Sequence, residues 1–218
     1  MNDQAHECVM HKHFIAIAGN IGVGKSALTR LLSQRLGWEP FYEAVEENPY
    51  LADFYQDMRA WSFHSQIFFL SRRLRHLQQL LRRPHPVVQD RSVYEDAEIF
   101  ARNLYEQGHM EERDYRSYRE LYEVIALFLP SPDLVVYLQA SVPTLLQRIA
   151  LRGRDFERTI SLDYLSQLNR LYESWISNFT LCPVLTLPAD DLDFVHRKEH
   201  LDLVVGRVLE KLEPGQVT

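Results

Sequence analysis

The stretch that most constrains this 218-residue chain runs from His13 to Ser26: His-Phe-Ile-Ala-Ile-Ala-Gly-Asn-Ile-Gly-Val-Gly-Lys-Ser. A short apolar run breaks into glycines and ends on a lysine and a serine. Gly19, Gly24, Lys25 and Ser26 stand at the spacing G-x-x-x-x-G-K-[ST]. In that pattern the loop's backbone N–H groups, here those of Gly19, Asn20, Ile21, Gly22, Val23 and Gly24, converge on phosphate oxygens. The lysine reaches the terminal phosphates and the hydroxyl ligates Mg2+. The flanks supply the required context. Phe14 to Ala18 reads as a buried strand, and Ala27, Leu28, Leu31, Leu32 and Leu36 recur at helical spacing. The helix that follows points its N-terminus at the same anion. Gly22, Gly24 and Ala27 also fit the dinucleotide fingerprint G-x-G-x-x-A, with Glu43 at a ribose-binding distance. Lys25 and Ser26 argue against that reading, because a dinucleotide site has no use for a lysine aimed at a triphosphate and a hydroxyl aimed at a metal.

Beyond the loop, apolar strand-like runs alternate with helical patterns. Strands are predicted at Trp38–Glu43, Val87–Gln89, Asp133–Leu138 and Pro183–Leu187. Helices are predicted over Tyr50–Met58, Trp61–Leu81, Tyr94–Tyr105, Glu111–Phe128, Val142–Leu151, Ser161–Phe179 and His196–Leu212. This alternation implies an α/β fold, a three-layer sandwich with a parallel sheet of about five strands covered by helices on both faces. A single domain is expected over residues 13–213, behind an N-terminal tail of residues 1–12.

A net charge of −6 supplies no basic surface for a nucleic acid polymer, so any polyanion the chain meets should be small and bound locally. No apolar run approaches the roughly 18 residues of a membrane span, and the first residues lack a signal peptide's apolar core, so a cytoplasmic protein with no membrane partner is expected. Cys8 and Cys182 show no metal or redox spacing and read as free thiols. His6, Cys8, His11 and His13 read as a polar terminus rather than a metal cluster.

Further groups carry chemistry. Glu43, Glu46, Glu47 and Asn48 follow the second strand. Such a run suits a solvated loop, but a carboxylate at a strand end facing a transferred phosphate can take a proton from an attacking hydroxyl. Asp90-Arg91-Ser92 lies at a strand's C-terminal end, where open parallel sheets bind ligands, and either forms a surface ion pair or serves Mg2+ and phosphate in turn. Arg148, Arg152, Arg154 and Arg158 surround Gly153. Cations at a helix C-terminus are stabilising in any case, yet this density also suits a lid that brings charge onto a phosphoryl group. Most of Tyr50, Phe54, Tyr55, Trp61, Phe63, Phe68 and Phe69 reads as core, with Gln66 among them able to read a nucleobase edge.

Together these segments resemble the deoxynucleoside kinase family, from Phe14 to about Leu187. The likeness rests on the phosphate loop, on Tyr42-Glu-Ala-Val-Glu-Glu-Asn-Pro49, on Trp61-Ser-Phe-His-Ser-Gln66, on Asp90-Arg-Ser-Val-Tyr-Glu-Asp96 and on Arg148-Ile-Ala-Leu-Arg-Gly-Arg-Asp-Phe-Glu157. The resemblance implies transfer of the γ-phosphoryl of ATP or another nucleoside triphosphate, with Mg2+, to the 5′-hydroxyl of a deoxynucleoside. It implies Glu43 as general base, with Arg91 and Lys25 beside it in catalysis. It places Ser26 and Asp90 at the metal, and Arg148, Arg152 and Arg154 in a lid over the triphosphate. Tyr55 and Glu157 would grip the sugar, and Trp61, Gln66, Arg73 and Asp96 would line the acceptor pocket. It also implies a homodimer. Asp90 stands where animal members usually carry glutamate, and Ala44 where the family has proline. Thymidylate kinase-like enzymes are the rival, but they need an acceptor-phosphate arginine near the second strand, and Tyr42-Glu43-Ala44 supplies none. A GTPase would need an Asn-Lys-x-Asp stretch, which is absent.

Overall fold

The computed structural model describes residues 12–43 and 47–212. Parallel strands β1 (Phe14–Ala18), β2 (Glu39–Phe41), β3 (Val87–Asp90), β4 (Leu134–Gln139) and β5 (Val184–Pro188) lie in the order β2-β3-β1-β4-β5. β1 is buried along its whole length, which is why its sequence is unbroken apolar rather than alternating. Its two neighbours, β3 and β4, continue to opposite edges of the sheet. The end of β1 is therefore the switch point of an open α/β sheet, where ligands bind. Ile17 pairs with Asp90 and Ala18 with Tyr137, so the phosphate loop leaves β1 level with Asp90-Arg91 on one side and the end of β4 on the other.

Helices α1 (Lys25–Leu36), α2 (Leu51–Gln56), α3 (Met58–Leu81), α6 (Glu112–Ala126), α7 (Val142–Arg152), α8 (Leu162–Asn178) and α9 (Lys198–Leu212) follow the predicted pattern to within a few residues. α3 begins earlier than its hydrophobic seam suggests, because the Asp57 side chain accepts from the N–H of Ala60 and caps it at once. β2 is shorter than expected and leaves Glu43 beyond the strand end. The helix predicted over Tyr94–Tyr105 is divided into α4 (Val93–Glu95), a π-helical stretch Asp96–Ala101 and α5 (Arg102–Glu106). A π-helical stretch alters which side chains share a face and is frequent at functional sites. Here it carries Asp96 and Phe100 to the same cavity.

Gly19 and Gly22 are required by close approach as well as by backbone angle. A Cβ on Gly19 would lie 2.7 Å from the carbonyl oxygen of Leu138, and one on Gly22 would lie 2.7 Å from Ile149. The loop is thus pressed against β4 and α7. Among the described residues no helix is long and apolar enough to cross a membrane. His6, Cys8, His11 and Glu46 lie outside the described residues, while His13 stacks on Trp38.

Candidate active site

A cavity of ≈ 760 Å³ opens where the phosphate loop, Glu43, α2, α3, the π-helical stretch, α7 and the segment after β5 meet. Its floor is ionic. Glu43 Oε1 lies 2.8 Å from Arg91 Nε and 3.2 Å from Arg73 Nη2. Burial alone would raise the Glu43 carboxyl, but Arg91, Arg73 and Lys25 outweigh it and hold the group down at about 2. Glu43 is therefore ionised at any working pH.

Among the described residues Arg91 is the one non-glycine with a left-handed backbone, φ 63°, and three contacts fix it there. Its N–H donates to the carbonyl of Ile17, its own carbonyl accepts from Arg73 Nη1, and the next N–H, that of Ser92, donates to Glu95. The turn aims the guanidinium at Glu43, with Cζ 4.1 Å from the Phe100 ring centre. Arg73, 4 % exposed, grips both oxygens of Asp96 at 3.0 and 3.1 Å and donates to the carbonyls of Asp90 and Arg91. Burial raises the Asp96 carboxyl, while Arg73 opposes that rise.

On the loop side, Lys25 Nζ donates to the carbonyls of Gly19 and Asn20, and burial, with Arg91 adding to it, lowers its ammonium to about 8. Asn20 is stitched to α8 through Leu165 and Asn169. Ser26 Oγ donates to Asp90 Oδ2 at 2.5 Å. The other oxygen, Asp90 Oδ1, is buried without a hydrogen-bond partner, and burial raises this carboxyl. A hydroxyl and an under-satisfied carboxylate side by side form an oxygen donor set that fits a hard cation such as Mg2+.

The arginines around Gly153 are arranged differently from one another. Arg148 donates to the carbonyls of Val23 and Ala189 and so pins the phosphate loop to the end of β5. Arg152 binds both oxygens of Glu157 at 2.7 Å, and Arg154 lies 3.6 Å from the same carboxylate. Gly153 takes the left-handed conformation that ends α7 and starts the turn into a single 3-10 turn, Asp155–Glu157. Glu157 and Tyr55 both face the cavity, as do Gln66, Phe69 and Asp96.

Trp61 departs from expectation. Its ring is taken up by a stack on Tyr50 at 5.7 Å and a tilted contact with His64, and it does not line the cavity. Gly19, Asn20, Arg73 and Asp90 also stand behind the wall, bonded to Lys25, Asp96, Glu43 and Ser26, which line it. Sequence reasoning missed Phe100, Tyr164 and the segment Asp190–Arg197 with His200, all of which line the cavity. The last of these carried a usable signal, since Asp190 and Asp191 follow β5 after a single residue, Ala189, at the ligand-binding end of the sheet. Phe100 carried none, because its direction depends on the π-helical register.

A phosphate loop at the switch point, with an ionised carboxylate and two arginines across from it, defines a nucleotide-dependent phosphotransferase of the P-loop class. Comparison with known proteins narrows this. The description Deoxynucleoside kinase matches residues 15–213. The chain is 39% identical over 204 residues to the deoxyadenosine/deoxycytidine kinase of Bacillus subtilis, covering 93% of this chain and 94% of the relative. It is 38% identical to the deoxyguanosine kinase of the same organism, covering 90% of this chain and 96% of the relative. Among solved structures, deoxyadenosine kinase from M. mycoides with products dCMP and a flexible dCDP superposes with a TM-score of 0.82 at 34% identity, covering 90% of this chain and 99% of that one. The same enzyme with bound dATP gives a TM-score of 0.80 at 32% identity, with the same coverage. The chain belongs to the deoxynucleoside kinase family. It is an enzyme that phosphorylates deoxynucleosides, and these matches do not favour the monophosphate kinase alternative.

Proposed function

We propose that the chain transfers the γ-phosphoryl of ATP or another nucleoside triphosphate to the 5′-hydroxyl of deoxyadenosine, deoxyguanosine or deoxycytidine, with a purine favoured, in nucleotide salvage in the cytoplasm. The observation that supports this acceptor range is the buried Arg73–Asp96 pair, whose carboxylate faces the same cavity as Gln66. An ionised aspartate only accepts hydrogen bonds, an arginine only donates them, and the glutamine amide does both. Adenine and cytosine present an exocyclic amine that a carboxylate can accept from, next to a ring acceptor, and guanine presents acceptors that the Gln66 amide can donate to. Thymine would set its O4 against the Asp96 carboxylate and its methyl group against a wall that includes Phe69. Unpaired buried polar groups enforce large discrimination, so thymidine should be a poor substrate.

In this reading Glu43 takes the proton of the 5′-hydroxyl, and Arg91 neutralises charge next to it. A base held at about 2 while paired to Arg91 gains basicity when the arginine turns toward phosphate oxygens. Ser26 and Asp90 are the residues that would hold Mg2+, which when bound neutralises charge on the transferred phosphates. Tyr55 and Glu157 are assigned to the sugar, and Lys25 and the loop N–H groups to the triphosphate. Arg148, Arg152 and Arg154 form the lid side. We keep the homodimer as part of the proposal. The exposed Leu121, Val124, Leu127 and Phe128 toward the end of α6 offer apolar surface for a second copy, and a monomer by sedimentation at micromolar concentration would remove that part.

The test is ADP release in a coupled assay with Mg2+–ATP and each deoxynucleoside in turn, with the product identified by mass. Formation of a deoxynucleoside 5′-monophosphate from a purine deoxynucleoside or deoxycytidine is the expected result. Turnover only with a monophosphate acceptor would contradict the proposal.

A further inference from the structure

Glu95 is a fully buried carboxylate to which neither the metal site, the lid nor the acceptor pocket gives a role, and it sits between the two halves of the site. Oε1 accepts from the N–H of Gly19 at 3.2 Å and from the Tyr172 hydroxyl at 2.8 Å. Oε2 accepts from the N–H of Ser92 at 2.7 Å and from the Ser92 hydroxyl at 3.1 Å. Tyr172 also accepts a long contact, 3.4 Å, from Arg91 Nη1. One carboxylate thus holds the residue that opens the phosphate loop, the residue that closes the strained turn at Arg91, and, through Tyr172, the arginine's far end.

We propose that Glu95 is a positioning residue that sets the distance between donor phosphate and acceptor hydroxyl, with Tyr172 as its relay to Arg91; this rests on the phosphotransfer reading above. Phosphate oxygens are placed by the loop and the acceptor by Glu43 and Arg91. The two groups sit on different strands, and Glu95 is a side chain that bonds directly to both backbones. Misplacing reacting groups by about 1 Å can cost on the order of 10²-fold in rate without abolishing binding of either substrate.

Glutamine is nearly isosteric here but cannot replace the carboxylate. The Tyr172 and Ser92 hydroxyls can turn and accept from an amide, whereas the N–H groups of Gly19 and Ser92 can only donate. Whichever way the amide faces, one backbone N–H is set against an NH2 group, and either the loop or the arginine turn is released.

The experiment compares Glu95→Gln and Tyr172→Phe with the wild type. Folded protein is verified by thermal melting, and kcat and both KM values are measured in the ADP-release assay. Glu95→Gln should lower kcat about 10- to 100-fold while each KM stays within about threefold, since binding elements remain and only their register is lost. Tyr172→Phe keeps the carboxylate and should lower kcat by about 3- to 10-fold in the same pattern. If Glu95→Gln fails to fold, Tyr172→Phe decides. A folded variant that keeps kcat within twofold, or loses activity through KM alone, overturns the positioning role. A wild type inactive on every deoxynucleoside contradicts the functional reading instead, so the two failures are distinguishable.

Discussion

The two halves of this active site handle charge in opposite ways. On the acceptor side Arg73, Arg91, Glu43 and Asp96 are all nearly buried, and each charge has its counter-charge within the protein. On the side proposed for the lid Arg152 and Arg154 are about a third exposed and share one buried carboxylate, Glu157, while Arg148 donates to carbonyls and attracts Asp190, and Arg158 reaches the exposed Asp155. The side proposed to hold the acceptor is already arranged and compensated, which suits discrimination among neutral nucleosides. The side proposed for the lid carries partly exposed arginines whose charge a polyphosphate is suited to satisfy.

The sharpest way to break this contrast is to remove the central carboxylate. Glu43→Gln should lower kcat by roughly 10²- to 10⁴-fold, with triphosphate binding nearly intact, because the group is proposed to take the acceptor proton. The same change leaves Arg91 and part of Arg73 buried without their counter-charge, and breaking a buried pair costs about 3–5 kcal/mol, so the variant should also melt at lower temperature. A variant that keeps most of its kcat would remove Glu43 from its role, with Glu46 or Glu47 the next carboxylate to try. A smaller effect sharpens the comparison. Raising ionic strength from about 0.05 to 0.3 M should raise KM for the triphosphate several-fold and leave KM for the deoxynucleoside within about twofold, because partly exposed charges are screened and buried pairs are not. Equal shifts in the two would erase the distinction between the halves.

The strands' positions along the chain and the place of the phosphate loop were legible because periodicity and glycine spacing are local signals, and Gly19, Gly22 and Gly24 announce their backbone requirement directly. Glu43, Arg91 and the arginines around Gly153 could be singled out because they stand beside strand ends and helix ends. Trp61 could not be placed, since whether an aromatic residue lines a pocket or stacks on a neighbour such as Tyr50 depends on packing between helices. The π-helical register of Asp96–Ala101 was hidden for a different reason. A side-chain pattern with helical spacing does not reveal where one turn takes an extra residue, and Phe100 was missed with it. Glu95 was passed over because its partners Gly19 and Tyr172 lie 76 and 77 residues away in sequence.

The claim that an internally compensated acceptor pocket selects the base has one direct measurement, the ratio of kcat/KM for deoxyadenosine to that for thymidine in the wild type and in the double variant Arg73→Met with Asp96→Ala. Using a ratio cancels the general loss of rate expected when Arg73 releases Glu43 and the carbonyls of Asp90 and Arg91. The account predicts a wild-type ratio well above ten, since a buried unpaired polar group costs about 1–3 kcal/mol or more, and a ratio near one in the double variant. A wild type that phosphorylates thymidine as well as deoxyadenosine, or a double variant whose ratio stays at the wild-type value, would contradict it.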